Sequence, residues 1–135
     1  MKRKFLIFAP PYDPDMGGAV VMHKLCSLLN ELGEQAYVYR LFNNQAGLLG
    51  LTRRMFKSSV RGLITPFTVN RQLQTPVLPR CPRAFDDAWI VVYPEIVRGN
   101  PLQARNVVRW MLYRPGFHTG EIPFGQNEFH VDYNR

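Results

Sequence analysis

Two short stretches of this 135-residue chain combine residue types that could hold or transfer a ligand. The first is Pro11-Tyr-Asp-Pro-Asp-Met-Gly-Gly18, placed directly before a helical pattern. Gly17 and Gly18 carry no Cβ to keep a ligand from the backbone N–H groups, and a helix N-terminus bears partial positive charge. A diphosphate or a sugar hydroxyl would suit this loop; the same glycines could also serve only to shape the turn into the helix. The stretch lacks both GxGxxG and GxxxxGK[ST], which argues against nicotinamide and ATP chemistry of those types. Asp13-Pro14-Asp15 has the form of a DxD motif for a metal and a diphosphate, but it follows the first strand and is split by proline. It reads as a turn, and no metal is expected.

The second stretch is Tyr93-Pro-Glu-Ile-Val-Arg-Gly-Asn100. Glu95 offers a carboxylate that could accept ligand hydroxyls or act as a base. Arg98 could pair with Glu95 or with a phosphate. Asn100, followed by Pro101, reads as a helix cap ahead of a ligand contact. His23 lies about 160° from Leu25 at 100° per residue, opposite the apolar stripe of its helix. Two readings are open there: a base or donor facing a cleft, or a solvent-exposed side chain without a role.

The elements that would position these residues follow from periodicity. Lys4 to Ala9 is a short apolar run stopped by Pro10-Pro11, the pattern of a strand buried on both faces. From Ala19, the positions Val21, Leu25, Leu28, Leu29 and Leu32 predict an amphipathic helix with Gly33 at its end. Gln35 to Leu41 predicts a second strand, completing a right-handed βαβ unit. Ala88 to Tyr93 predicts a third strand ended by Pro94. Asn100-Pro101 with Ala104, Val107, Val108 and Met111 predicts a second helix running to Tyr113 and stopped by Pro115-Gly116. Phe129 to Tyr133 alternates and predicts a last strand. The fold class is therefore α/β: a Rossmann-like three-layer α/β/α domain with a mostly parallel sheet, spanning 1–135 as a single unit. Residues 43–83 form a basic, proline-rich irregular insertion within it. Leu48 to Val60 could hold a short helix, and Ile64 to Pro82 reads as extended loop.

Composition narrows the function classes. With 46% hydrophobic and 20% charged residues, the chain can bury a core. It has no run of the ~18 to 20 apolar residues that a membrane-spanning helix needs. The opening Met1-Lys-Arg-Lys imitates a signal peptide, but the apolar run behind it is too short, so a cytoplasmic chain is expected. Cys26 and Cys81 lie far apart and read as ordinary thiols. The net charge of +7 is local: between Gln35 and Phe85 there are eight basic residues and no Asp or Glu, against nine basic and ten acidic elsewhere. Arg53, Arg54, Lys57 and Arg61 form the densest part. Such a patch either concentrates anionic partners or is a solvated face that confers solubility. Its arginines are not interleaved with a run of aromatics, which disfavours a stacking platform for single-stranded nucleic acid.

Phe5-Leu-Ile-Phe-Ala-Pro-Pro-Tyr-Asp13, then Gly17-Gly18, His23, Leu25-Cys26 through Leu32-Gly33, and Ala36-Tyr37 resemble the start of bacterial glycosyltransferases of the GT-B type, those grouped with family 1 or 4. Val92-Tyr-Pro-Glu-Ile-Val-Arg-Gly-Asn-Pro-Leu102, Val107 to Leu112 and Pro115-Gly116 resemble a second block of the same proteins, in the right order. The two blocks cover about half the chain. The resemblance implies the N-terminal, acceptor-side domain of an enzyme with two Rossmann-like domains facing a cleft. Such enzymes move a sugar from a nucleotide sugar, their co-substrate, to a hydroxyl on a glycan or lipid, without a bound metal or other cofactor. Gly17 and Gly18 would lie beside the donor diphosphate. Tyr12, Asp13, Glu95, Arg98 and Asn100 would line the acceptor side, and His23 and Glu95 are the candidates for the base. The donor-gripping domain is expected to be missing, so the chain would be inactive alone and would need a donor-domain partner chain. The competing reading is a non-enzymatic basic module docking on anionic membrane or nucleic acid, with nucleic acid the less expected partner. Peripheral attachment to the inner membrane surface is compatible with both. A third reading, a flavodoxin-like or response domain, lacks the acidic cluster or phosphate loop it would need.

Overall fold

The computed structural model describes residues 2–40, 67–80, 82–112 and 127–132. Their elements are β1 (Lys4–Ala9), α1 (Gly17–Glu31), β2 (Gln35–Arg40), β3 (Trp89–Pro94), β4 (Asn106–Met111) and β5 (Phe129–Asp132). The five strands form one sheet in the order β2-β1-β3-β4-β5, every pair parallel. This is a Rossmann-like α/β arrangement. β1 lies inside the sheet, and Leu6, Ile7, Phe8 and Ala9 are all fully buried, as a run apolar on both faces requires.

The register divides the side chains between two faces. On the α1 face, Ile7, Ala9, Ala36, Val38 and Val92 pack against Met22 and Cys26. On the opposite face, Leu6, Phe8, Tyr39, Val91, Tyr93 and Val107 form a second cluster. Phe85 joins it from the segment before β3, and Val97 and Ala104 from the β3–β4 connection. The 67–80 segment is irregular, as its prolines predict, but Val77 pairs with Val38 in a parallel bridge. That bridge shields the outer edge of β2, which would otherwise expose unpaired N–H and C=O groups.

Two expectations are corrected. The predicted helix from Asn100 to Met111 is absent: 100–105 is a turn-rich loop, and 106–111 is β4. Ala104, Val107, Val108 and Met111 fit helical spacing, yet Val107, Arg109 and Met111 alternate into one face of the sheet and Val108 and Trp110 into the other. An arginine at a core position concealed that alternation. The layer opposite α1 is accordingly built of irregular chain among the described residues, and not of a second helix.

The helix α1 forms where expected, but a different side is buried. Ala19, Met22, His23, Cys26 and Ser27 face the protein; of the predicted stripe, Leu25 and Leu29 pack partly buried on the same core, while Leu28 is 55% and Leu32 79% exposed. The buried side lies roughly 140° around the helix from the leucine stripe, at 3.6 residues per turn. Small residues allow close approach to the sheet, and the polar ones bond backbone groups of neighbouring segments. Ser27 Oγ accepts the Gln74 N–H at 2.9 Å. Asn30 bonds both backbone groups of Ala36, each at 2.9 Å. Gly33 (φ +88°) ends the helix in the left-handed conformation, as its glycine predicts. The predicted helix at 48–60, Cys81, and the ends of the other predicted elements at Leu41, Tyr113 and Tyr133 lie outside the described residues.

Candidate functional site

Strand order places a topological switch beside β1. β2 lies on one side of it and β3 on the other, so the connections leaving β1 and β3 diverge to opposite faces of the sheet. Such a crevice at the carboxyl ends of parallel strands is where open α/β sheets bind ligands. The two stretches singled out from the sequence are the two that leave these strands: 10–16 after β1, and 95–105 after β3.

The first loop is shaped by Asp13, whose Oδ1 accepts the Asp15 N–H at 2.9 Å and whose carbonyl accepts the Met16 N–H at 3.0 Å. Asp13-Pro14-Asp15 is thus a turn, as predicted. Met16 is the N-cap of α1 and makes no side-chain cap hydrogen bond, and the first turn contains no acidic residue. The first N–H groups of a helix have no intrahelical acceptor. At Gly17 a Cβ would meet nothing within 4 Å, and neither Gly17 nor Gly18 has a positive φ. The glycines are therefore not required by the turn; what they leave is open space beside an uncapped helix N-terminus.

The structure buries His23 completely. The sequence placed it correctly opposite the leucines, but that is the side facing the protein. Its Nε2–H donates to the Pro10 carbonyl at 2.8 Å. Its ring stacks on Phe67 at 5.8 Å and 17°, and meets Tyr12 edge-on at 5.4 Å. The Arg40 guanidinium lies 5.5 Å from the same Phe67 ring. Nδ1 is buried without a hydrogen-bond partner among the described residues. Burial holds the His23 pKa below its ordinary value, against the opposing effect of the Pro10 carbonyl. A neutral ring sealed in this way fixes Pro10, the first residue of the loop between β1 and α1. Tyr12 is tied in as well, its N–H donating to the Thr68 carbonyl at 2.7 Å.

In the second loop, Glu95 is buried, and its Oε2 accepts the Leu112 N–H at 3.1 Å. The side chain of Leu112 lies 3.5 Å from the point where a Cβ would stand on Gly18. Leu112 thereby joins the two candidate stretches: its backbone engages Glu95 and its side chain packs against the start of α1. Asn100 caps no helix. Its Oδ1 accepts from the Ala104 N–H (3.0 Å) and the Tyr93 hydroxyl (2.9 Å), and its Nδ2 donates to the Ala104 carbonyl (2.7 Å). It closes the β3–β4 loop upon itself. Arg98 is exposed on the same loop, next to Gly99 (φ +62°). Arg53, Arg54, Lys57 and Arg61 lie outside the described residues.

Sequence reasoning missed Arg109. It is fully buried in β4, with its guanidinium 5.2 Å from the centre of the Tyr93 ring. It grips Glu128 through Nε at 3.1 Å and Nη2 at 2.7 Å, and it also donates to the carbonyls of Val97 and Gly99. One side chain thus fixes the loop carrying Arg98 and the start of β5. The signal in the sequence was an arginine breaking an otherwise apolar run, with a glutamate just before the last strand. Cys26 is buried, which pushes its thiol up to about 12 and leaves it unreactive. Among the described residues, no helix is long and apolar enough to cross a membrane. No protein-family model, curated protein or solved structure matches this chain.

Proposed function

We propose that this chain is the acceptor-side, Rossmann-like half of a GT-B type glycosyltransferase, and that turnover requires a second, donor-gripping half, continuous with it or supplied as another chain. The observation that carries this reading is the meeting of the two family-like stretches at the β1/β3 switch, bridged by Leu112 between Glu95 and Gly18. In sugar transfer, the bond from the sugar to the phosphate oxygen breaks, a bond to the acceptor oxygen forms, and the acceptor hydroxyl gives its proton to solvent or to the departing diphosphate. Negative charge grows on the departing nucleoside diphosphate. The uncapped N–H groups of α1, unobstructed at Gly17, would stabilise that charge more in the transition state than before it.

Arg98, exposed on the second loop, is suited to an anionic or hydroxyl-rich acceptor, with Tyr12 and Asp13 on the facing loop. Asn100 serves the site by holding that loop closed, and His23 by holding Pro10. The test is calorimetric titration of the chain with UDP- and GDP-sugars and with lipid-linked or oligosaccharide acceptors, alone and with a donor-domain partner. Binding that weakens when Gly17 becomes leucine supports the proposal. No binding in any combination overturns it.

A further inference from the structure

His23 is a buried titratable group that stands where a strand end, a loop and a helix meet. The loop, Pro10 to Met16, joins β1 to α1, and its part from Asp13 to Met16 is exposed. Among the described residues, two hydrogen bonds hold it to the rest of the protein: the His23 Nε2–H on the Pro10 carbonyl, at 2.8 Å, and the Tyr12 N–H on the Thr68 carbonyl, at 2.7 Å. The bonds that Asp13 makes with Asp15 and Met16 stay within the loop. The His23 ring lies between the two anchors, stacked on Phe67 at 5.8 Å and meeting Tyr12 edge-on at 5.4 Å. It therefore touches both the loop and the segment on which the loop closes.

The neutral ring suits this place and the charged ring does not. Neutral imidazole has one N–H to place, and the Pro10 carbonyl accepts it. In imidazolium both nitrogens carry a proton, and Nδ1 is buried with no acceptor among the described residues. The groups around the ring offer no compensating negative charge. The loop presents Tyr12, the 67–80 segment presents Phe67, and β1 presents the apolar Ile7 and Ala9. From β2, the Arg40 guanidinium lies 5.5 Å from the Phe67 ring, a charge of the same sign. On α1 itself, Lys24 is exposed and the Cys26 thiol, pushed up to about 12, stays protonated. Asp13 and Asp15 are exposed beyond the anchored Tyr12. Proton uptake thus favours an arrangement in which the ring meets water. The smallest such change lifts Pro10 and Tyr12 from it and leaves the sheet and α1 in place.

We propose that His23 is a proton-operated latch: neutral, it closes the Pro10–Met16 loop on α1 and the 67–80 segment, and protonated, it releases that loop while the sheet and α1 stay folded. The released stretch leads into the uncapped N-terminus of α1, so acid loosens whatever that terminus binds; this consequence alone rests on the glycosyltransferase reading. Hydrogen exchange followed by NMR on the full chain between pH 7 and 5 tests the latch without a ligand, so its failure is distinct from a failure of sugar transfer. The open loop binds the proton with ordinary histidine affinity and the closed loop binds it more weakly. Protection of the Tyr12 amide, corrected for the intrinsic pH dependence of exchange, should therefore fall by up to about tenfold per pH unit below about pH 6.5, while Ile7 in β1 keeps its protection. His23→Gln, whose amide can still donate to Pro10, should show no such fall. If that variant does not fold, the parent ring decides, because its Hε1 resonance must titrate in step with the loss of protection at Tyr12. Protection at Tyr12 that does not change with pH, equal losses at Tyr12 and Ile7, an unchanged pH dependence in His23→Gln, or a ring that titrates out of step would each overturn the proposal.

Discussion

Gly17→Ala separates a glycine kept for the fold from one kept for a ligand, because the two roles predict opposite signs. The backbone there does not need glycine, and a Cβ would meet nothing within 4 Å. Alanine should therefore raise stability by about 0.4–1 kcal/mol, through the lost freedom of the unfolded chain. In the proposed function, the same methyl would stand where a donor diphosphate approaches the uncapped N–H groups of α1. A hydrogen bond from an N–H to a charged phosphate contributes about 1.5–3 kcal/mol, so displacing the ligand from one such group raises Kd about ten- to hundredfold. Urea unfolding and nucleotide-sugar titration on one preparation read both quantities. Gly18→Ala is the comparison: its Cβ would make an ordinary contact with Leu112 at 3.5 Å, and stability should not fall. A Gly17→Ala variant that is destabilised, or that binds like the parent, refutes the reasoning.

Arg109→Met leaves Glu128 buried without the guanidinium and strips a donor from two loop carbonyls, and should cost about 3–5 kcal/mol in urea unfolding. Arg109→Met/Glu128→Leu should cost less than the sum of its single substitutions, and strict additivity would show that the pair is not coupled. The lowered His23 pKa gives a signed pH dependence. As pH falls below about 6.5 the unfolded chain takes up a proton that the folded chain refuses, so stability drops by at most about 1.4 kcal/mol per pH unit until the folded pKa is reached. In His23→Gln, whose amide can still donate to Pro10, that part of the slope should vanish; an unchanged profile between pH 7 and 5 would assign the titration elsewhere.

The strands were readable where both faces of the sheet demand the same residue type. β1 and β3 are apolar on both sides, and their boundaries differ from the periodicity reading by a residue at most. β4 was not readable, because its core-facing middle position is Arg109, whose charge is matched by Glu128, nineteen residues later. Hydropathy records that position as polar, and without it the remaining apolar residues fit a helix equally well. The edge cover at Val77 was invisible for a related reason: a single bridge in a proline-rich segment leaves no period to detect.

The misassigned face of α1 has the same physical origin. A helix buries the side whose groups find partners, and His23, Ser27 and Asn30 each have a backbone group waiting on a neighbouring segment. Hydrogen-bonded polar side chains are buried at little net cost, so the apolar stripe need not be the buried one. The loops of the candidate site depend on these same polar anchors. Pro10 is held by His23, the β3–β4 loop by Asn100 and Arg109, and Leu112 by Glu95. In each pair, a side chain placed in the sequence by type alone turns out to fix a backbone carbonyl or N–H at the crevice. Residues chosen as ligand contacts from one sequence are, in this fold, largely the ones that shape the loops, Asp13 among them through its bond to the Asp15 N–H.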